Sequence, residues 1–332
     1  MQPQAEVQQG AAVIALDLGG TKLASAMFVG DGRPRLVRVR EIGRRQGAGV
    51  ASLVCGEIRR LQHAAQQRGL QVRAVGVSVP GIAGPRTGRV WAPNIAGWAD
   101  YPLRDEIAAL PETQGAPVVV DSDRAACILG EAWQGAARGC RDAIFLAVGT
   151  GIGAGILAGG RVLRGASGSA GSAGWLALGR SFRREFAACG DFEWRASGRG
   201  LAASAARTAA RTAGYRGPLS KASGLTARDV FAAFDADDPV AAAVIRSAVR
   251  SWGVACASLV SLFAPETIVF GGGVFGPAVR WLEAIRAEAA RWAQPIAMRR
   301  VKFEASRLGP LAALYGAGWL ARRAASGRRR PG

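Results

Sequence analysis

The stretch AAVIALDLGGTKLASAMFVGDG (residues 11–32) decides the architecture. Its first half is an apolar run that stops at two glycines, the pattern of a buried strand closed by a tight turn. LASAMFVGDG (23–32) returns as a second strand, and PRLVRVRE (34–41) reads as a third. The second half of the chain repeats the arrangement: DAIFLAVGTG (142–151) and IGAGILAGG (152–160) again set glycines between two apolar strands. The repetition predicts an α/β fold of two similar lobes with an interlobe cleft.

The remaining pattern alternates in the same sense. A helix is expected around 49–68, a strand at VRAVGVSVPG (72–81) and a short helix at PLRDEIAAL (102–110). VVVDSDRAACILGE (118–131) reads as a strand running into a helix, with Asp121, Ser122 and Asp123 at the junction. A glycine-rich stretch (164–200) is expected to be irregular, with helices near 201–213 and 227–235. Asp238-Pro239 reads as an N-cap followed by proline at the first helical position, opening a long helix that ends before Pro265. ETIVFGGG (266–273) is a strand entering glycines; a helix (277–293), a strand (299–305) and a helix (309–324) close the chain. The expected lobes are 11–121, closed by the C-terminal helix 309–324, and 122–308, with hinges near 121–123 and 305–308. Residues 1–10 and 325–332 are expected to be disordered tails.

Composition narrows the function. The 332 residues are 49% hydrophobic, enough for a full core. No run of 18 apolar residues suggests a membrane span, and MQPQAEVQQG lacks the features of a secretory signal. Five scattered cysteines argue against a disulfide framework and for a reducing cytoplasm. His63 is the only histidine and lies in an amphipathic helical pattern, so histidine triads and multi-histidine metal sites are excluded. The net charge is +19, and only three of the 43 basic residues are lysine. A nucleic-acid surface and a generally arginine-rich surface both fit. The dispersal of the arginines favours the second, so no specific nucleic-acid partner is expected. The tail ARRAASGRRRPG (321–332) adds at most a salt-sensitive attraction to polyanions.

Three glycine turns carry the candidate chemistry. In DLGGTK (17–22), Gly19 and Gly20 let the backbone approach a ligand, Thr21 and Lys22 add a hydroxyl and a cation, and Asp17 is placed to hold Mg²⁺ through water. Gly149, Thr150, Gly151 and Gly153 form a second candidate phosphate clamp. Gly271, Gly272 and Gly273 leave room for a flat ring against the backbone. Each turn alone is also an ordinary tight connection, and no GxxxxGK[ST] is present, so none is a P-loop.

Together these segments resemble the ROK family (repressors, open reading frames and sugar kinases) of the actin-like ATPase superfamily. The resemblance rests on DLGGTK, GVSVPGIAGPRTGRVWAPNIAGW (76–98), the acid at 123, GTGIGAGILAGGRVLRGASGSAGSAG (149–174), EWRASG (193–198), PETIVFGGGV (265–274) and LGPLAALYGA (308–317), in family order. It implies two actin-like ATPase (ribonuclease H-like) lobes with ATP, Mg²⁺ and a sugar in the cleft. It implies a cytoplasmic glucokinase-like or N-acetylhexosamine kinase-like enzyme, expected as a homodimer. DLGGTK and GTGIG match the two phosphate turns, and Gly271–Gly273 the adenosine turn. Asn94 matches a sugar-hydroxyl ligand and Glu193 an acidic sugar ligand. Asp123 matches the catalytic aspartate that takes the proton of the attacking hydroxyl. Phosphoryl transfer needs chiefly positioning and charge neutralisation, which such turns, a cation and one carboxylate supply. The plain alternative for Asp123 is a first-turn acid favourable to the helix dipole.

The departures from the family pattern bear on the acceptor. Ser122 stands where an asparagine usually precedes the catalytic aspartate, and Ala125 where another follows. The Gly-x-x-Gly-Glu-x-Gly-His run reads GSAGSAGW (168–175), so Ser172 replaces the sugar-binding glutamate and Trp175 the histidine. Of the family's three zinc cysteines only Cys189 is present, and Asp191 stands where another is expected; no zinc site is expected. Ordinary glucose should bind poorly to a site that lacks two polar contacts. The Trp175 indole is expected either to stack on a ring or to fill the hole left by the zinc module. A catalytically impaired sugar- or nucleotide-responsive regulator is the alternative to a kinase. A DNA-binding repressor ranks last, because about ten residues before the first strand are too few for a helix-turn-helix.

Overall fold

The computed structural model describes residues 10–84, 87–220 and 224–327. β1 (Ala11–Leu18) is buried along almost its whole length because sheet neighbours flank it and helices cover both faces. β2 (Lys22–Phe28) and β3 (Pro34–Glu41) add to it as an antiparallel meander, and β3, at the edge, is largely exposed and carries arginines. After α1 (Ala48–Gln66), β4 (Gln71–Val79) pairs parallel to β1. β5 (Ile82–Ala83) and β6 (Val90–Trp91) form a small hairpin that the sequence pattern does not announce. Beyond α2 (Leu103–Ala108), β7 (Val118–Ser122) completes the sheet order β3-β2-β1-β4-β7 and leads into α3 (Asp123–Gln134).

The second sheet has the order β10-β9-β8-β11-β12, from β8 (Ala143–Val148), β9 (Ile152–Ala158), β10 (Arg161–Val162), β11 (Thr267–Gly271) and β12 (Lys302–Ala305). Between β10 and β11 lie α4 (Asp191–Ala196), α5 (Gly198–Arg211), α6 (Ala227–Asp235) and α7 (Pro239–Phe263). Asp238 caps α7 through its Oδ1 to the Ala241 N–H at 2.8 Å, with Pro239 at the first position, as the sequence predicts. α7 is long and apolar enough by composition to cross a bilayer. It packs against α4, α5, α6 and the helix at Leu282–Ala290 with Trp252 fully buried, as a core helix does.

Four expectations about the limits of elements are corrected. The stretch 164–200 is not irregular throughout: α4 lies within it, and α5 begins at Gly198 because the Ser197 hydroxyl caps the Gly200 N–H. The helix expected at 277–293 is a 3₁₀ segment, Pro277–Trp281, followed by α8 (Leu282–Ala290). The strand expected from 299 starts at Lys302, because α9 (Pro295–Arg300), capped by Gln294, occupies the preceding residues. The final helix, α10, spans Ala312–Ala325 after a 3₁₀ turn, so Ala325 is helical rather than part of a tail; the expected tails at 1–9 and 328–332 lie outside the described residues.

The chain forms two compact units. The first holds the chain up to Arg141, Gly155–Ala170 and the chain from Arg307; the second holds Asp142–Ala154 and Gly171–Ser306. The division falls at 141/142 rather than at 121/122, since α3 packs along α10 in the first unit. Glycine makes that close approach possible: a Cβ on Gly316 would lie 1.8 Å from the Ala126 carbonyl oxygen, and one on Gly130 2.2 Å from that of Ala312.

Candidate active site

In the first unit the carboxyl ends of the parallel strands β1, β4 and β7 bring the candidate acids to one edge. The register pairs Asp17 with Ser78, and Ser78 with Asp121. Ligands of open α/β sheets bind outside this end of the strands. Asp121 is consumed structurally: its Oδ2 accepts Arg164 at 2.6 Å and its Oδ1 the Ser122 N–H at 2.9 Å. Ser122, buried, caps α3 by accepting the Ala125 N–H at 3.3 Å. That bond gives it a structural task beside the substrate contact expected of it.

Asp123 opens α3, half-buried. Burial raises its pKa above the usual carboxylate value; the Arg124 guanidinium and the Arg124 N–H, which donates to Asp123 Oδ1 at 2.7 Å, oppose the rise without cancelling it. Asp17 is pushed up to about 7, chiefly by burial and further by the Asp123 charge, while the neighbouring Ser78 hydroxyl draws it down. That hydroxyl is fully buried and makes no hydrogen bond of good geometry. Two acids of raised proton affinity at the head of a sheet, one of them feeling the other's charge, are suited to proton transfer and to cation binding.

The DLGGTK turn lies beside them. Gly19 donates its N–H to the Lys22 carbonyl at 2.8 Å, closing the turn. Thr21 is exposed, and Lys22, also exposed, reaches Glu41 at 3.6 Å. A Cβ on Gly20 would meet Asn94 Nδ2 at 2.8 Å, so the structure brings Asn94 onto the turn. Asn94 stays exposed on a loop anchored by buried Trp98, whose indole donates to the Gly47 carbonyl at 3.0 Å and stacks on Tyr101.

In the second unit the other two glycine turns are neighbours. The register pairs Ala147 with Gly271, and a Cβ on Gly272 (φ +87°) would lie 2.5 Å from the Val148 carbonyl. Gly271 is buried at the end of β11, whereas Gly272 and Gly273 are exposed and shape the turn. Gly149 N–H donates to the Gly151 carbonyl at 2.9 Å, and the Gly198 N–H donates to the Gly149 carbonyl at 2.7 Å. Gly153 lies within β9 rather than in the turn. Glu193, on α4, closes the group: its Oε2 accepts the Ile152 N–H at 2.7 Å, and its Oε1 meets Arg199 at 3.2 Å. Arg199 also donates to the Thr150 carbonyl at 3.3 Å. Ser197, Gly198 and Arg199 are the residues that sequence reasoning did not single out. Their signal was the strand-free EWRASG segment, where a serine before glycine marks a helix start.

Ser172 and Trp175 lie on an exposed turn, with the Trp175 N–H donating to the Ser172 carbonyl at 3.1 Å. Trp175 is 58% exposed, so it does not fill a hole; that half of the expectation is corrected. The adjoining loop is held by Asp191 instead, through the Leu178 and Gly179 N–H groups and Arg195. Among the described residues no group of three or more His, Cys, Asp or Glu is arranged to hold a metal.

The ROK family sequence model matches residues 13–324. A glucokinase of Halalkalibacterium halodurans is 31% identical over 250 residues, covering 74% of this chain and 75% of that protein. The crystal structure of a ROK hexokinase from Thermus thermophilus superposes with a TM-score of 0.74 at 34% identity, covering 93% of this chain and 97% of that one. A ROK glucokinase from Streptomyces griseus, solved with glucose and AMPPNP, gives a TM-score of 0.74 at 30% identity, covering 94% and 99%.

Proposed function

This chain belongs to the ROK family and is an ATP-dependent carbohydrate kinase, and we propose that it phosphorylates a hydroxyl of a sugar or amino sugar with Asp123 as general base. The observation that carries the reading is the placement of Asp123: half-buried, at the carboxyl end of β7, with raised proton affinity and with Asp17 near enough to feel its charge.

In the proposed step the Asp123 carboxylate takes the proton of the acceptor hydroxyl as its oxygen bonds to the terminal phosphorus of ATP. The bond from that phosphorus to the bridging oxygen breaks, and ADP leaves with the electron pair. General-base help of this kind contributes ~10²–10⁴ in rate. The backbone N–H groups of the turns at 19–22 and 149–151 are assigned to the phosphates, and Gly272 and Gly273 to the base. Asp17 would hold Mg²⁺ through water, and the ion would neutralise charge on the transferred group. Asn94, Trp175 and Glu193 are assigned to the acceptor, with Ser122 and Ser172 contributing hydroxyls. An exposed indole where a polar contact is expected favours an acceptor with an apolar ring face over plain glucose. The protein would act in the cytoplasm as a homodimer with no specific nucleic-acid partner.

ADP release measured across hexoses and N-acetylhexosamines tests the reading. Turnover on at least one of them supports it. Folded protein that binds ATP yet turns over none of the panel contradicts it.

A further inference from the structure

Asp191 is buried, and its two oxygens are shared among three donors. Oδ2 accepts the N–H groups of Leu178 at 2.9 Å and Gly179 at 3.0 Å, while Oδ1 pairs with Arg195 Nε one helical turn on. The Arg195 guanidinium lies over the Phe186 ring at 5.6 Å, and Phe186 meets Trp194 edge-on at 5.4 Å. The Phe192 N–H also bonds the Leu176 carbonyl at 3.2 Å. The Asp191 carboxylate and the Phe192–Leu176 bond together fasten the loop at 176–179 to α4.

The fastening reaches the glycine turn. α4 has six residues, too few to set its own direction, so its tethers set it. Glu193 stands two residues after Asp191 on this helix, and its carboxylate binds the Ile152 N–H and Arg199, which in turn holds the Thr150 carbonyl. The fit is close: a Cβ on Gly151 would lie 2.5 Å from Glu193 Oε2, and one on Gly174 would lie 3.0 Å from Glu193 Cβ. A small rotation of α4 must move the Glu193 oxygens out of hydrogen-bond reach of Ile152.

We propose that Asp191, through Arg195 and the Leu178 and Gly179 amides, is a positioning residue that holds Glu193 against Ile152 and thereby sets the shape of the 149–152 turn. The tether is built from a carboxylate and a guanidinium of this chain. It predicts that the loop and the turn, though separate in sequence, loosen together.

Amide hydrogen exchange of the full-length protein, wild type against Asp191→Asn, tests this directly, with steady-state kinetics alongside. Asn keeps the shape but loses the charge. The substitution should speed exchange about tenfold in peptides covering both 176–180 and 149–153, the effect of losing charge-assisted hydrogen bonds, with β1 and β4 unchanged. The kinetic arm rests on the kinase reading: KM for the acceptor should rise about tenfold and kcat change less than about threefold. Arg195→Lys, which keeps the charge, should give a smaller change of the same pattern, and it reads the same two segments if Asp191→Asn does not fold. Faster exchange at 176–180 with unchanged exchange at 149–153 would overturn the proposal and leave Asp191 a local loop anchor. A wild type without kinase turnover would contradict the kinase reading and leave the exchange result standing.

Discussion

Glu193 Oε2 accepts the Ile152 N–H at 2.7 Å and occupies the space that a side chain on Gly151 would need. The acid expected to bind the acceptor is therefore also a buttress of the 149–152 turn, which is proposed to hold the phosphates. Glu193→Ala leaves the Ile152 amide without its partner and should lower kcat/KM by at least about tenfold. Gly151→Ala forces the same carboxylate aside and should give a loss of similar size. A Gly151→Ala enzyme with normal kcat/KM would show that this contact does not shape the site.

The pKa of Asp17, pushed up to about 7 from an ordinary 3.8, makes stability fall as pH rises. Between pH 4 and 7 the folded chain holds a proton that the unfolded chain has released, so each rise in pH favours unfolding, and the cost is complete above 7. Asp17→Asn removes that penalty. In magnesium-free buffer at pH 8 the variant should be more stable by roughly 1–3 kcal/mol, discounted from the full shift because the carboxyl is only half-buried. At pH 4 the two should be equal. Urea unfolding at both pH values decides, and an Asp17→Asn protein less stable at pH 8 would show that burial does not strain this acid.

Two glycines in helices should respond oppositely to alanine. Gly316 lies against Ala126, and Gly316→Ala should cost about 3 kcal/mol or more by forcing α3 and α10 apart. Gly56, exposed on α1, has nothing within 4 Å of its would-be Cβ, so Gly56→Ala should stabilise by about 0.5–1 kcal/mol. Thermal unfolding of the two variants, with opposite shifts in Tm, checks the interhelical packing.

Asp191, which stands where the family pattern places a zinc cysteine, is already committed to Arg195 and two amides. Dialysis against a strong chelator, followed by return of Mg²⁺, should leave Tm and turnover unchanged. Metal analysis finding one equivalent of zinc, lost together with stability on chelation, would contradict that expectation.

Much of the fold was legible because local and tertiary preferences agree. The limits of β3 and α6, and the Asp238-Pro239 start of α7, follow from alternation and capping chemistry alone. α4 and α9 were not legible. Each has six residues and is held by tertiary bonds or a single cap rather than marked by a local pattern. In the candidate site, the sequence places the glycine turns and Asp123 at strand ends, and the structure has them there. The tasks of Asp121, Glu193 and Asp191 could not be read from it, since their partners Arg164, Ile152 and the Leu178–Gly179 amides are distant in the chain. For Trp175 the sequence leaves stacking on a ring and filling a hole both open, and only its exposure removes the second.

The base assigned to Asp123 is tested most directly by Asp123→Asn, with phosphoryl transfer to the best acceptor and equilibrium binding of ATP measured on the same preparation. The account predicts that ATP affinity stays within about threefold while kcat falls by ~10²–10⁴. The acidic limb of wild-type kcat/KM should lie above the usual carboxylate range, as the raised pKa of Asp123 requires, and should be absent from the variant. A variant that binds ATP normally and turns over within about threefold of wild type would contradict it.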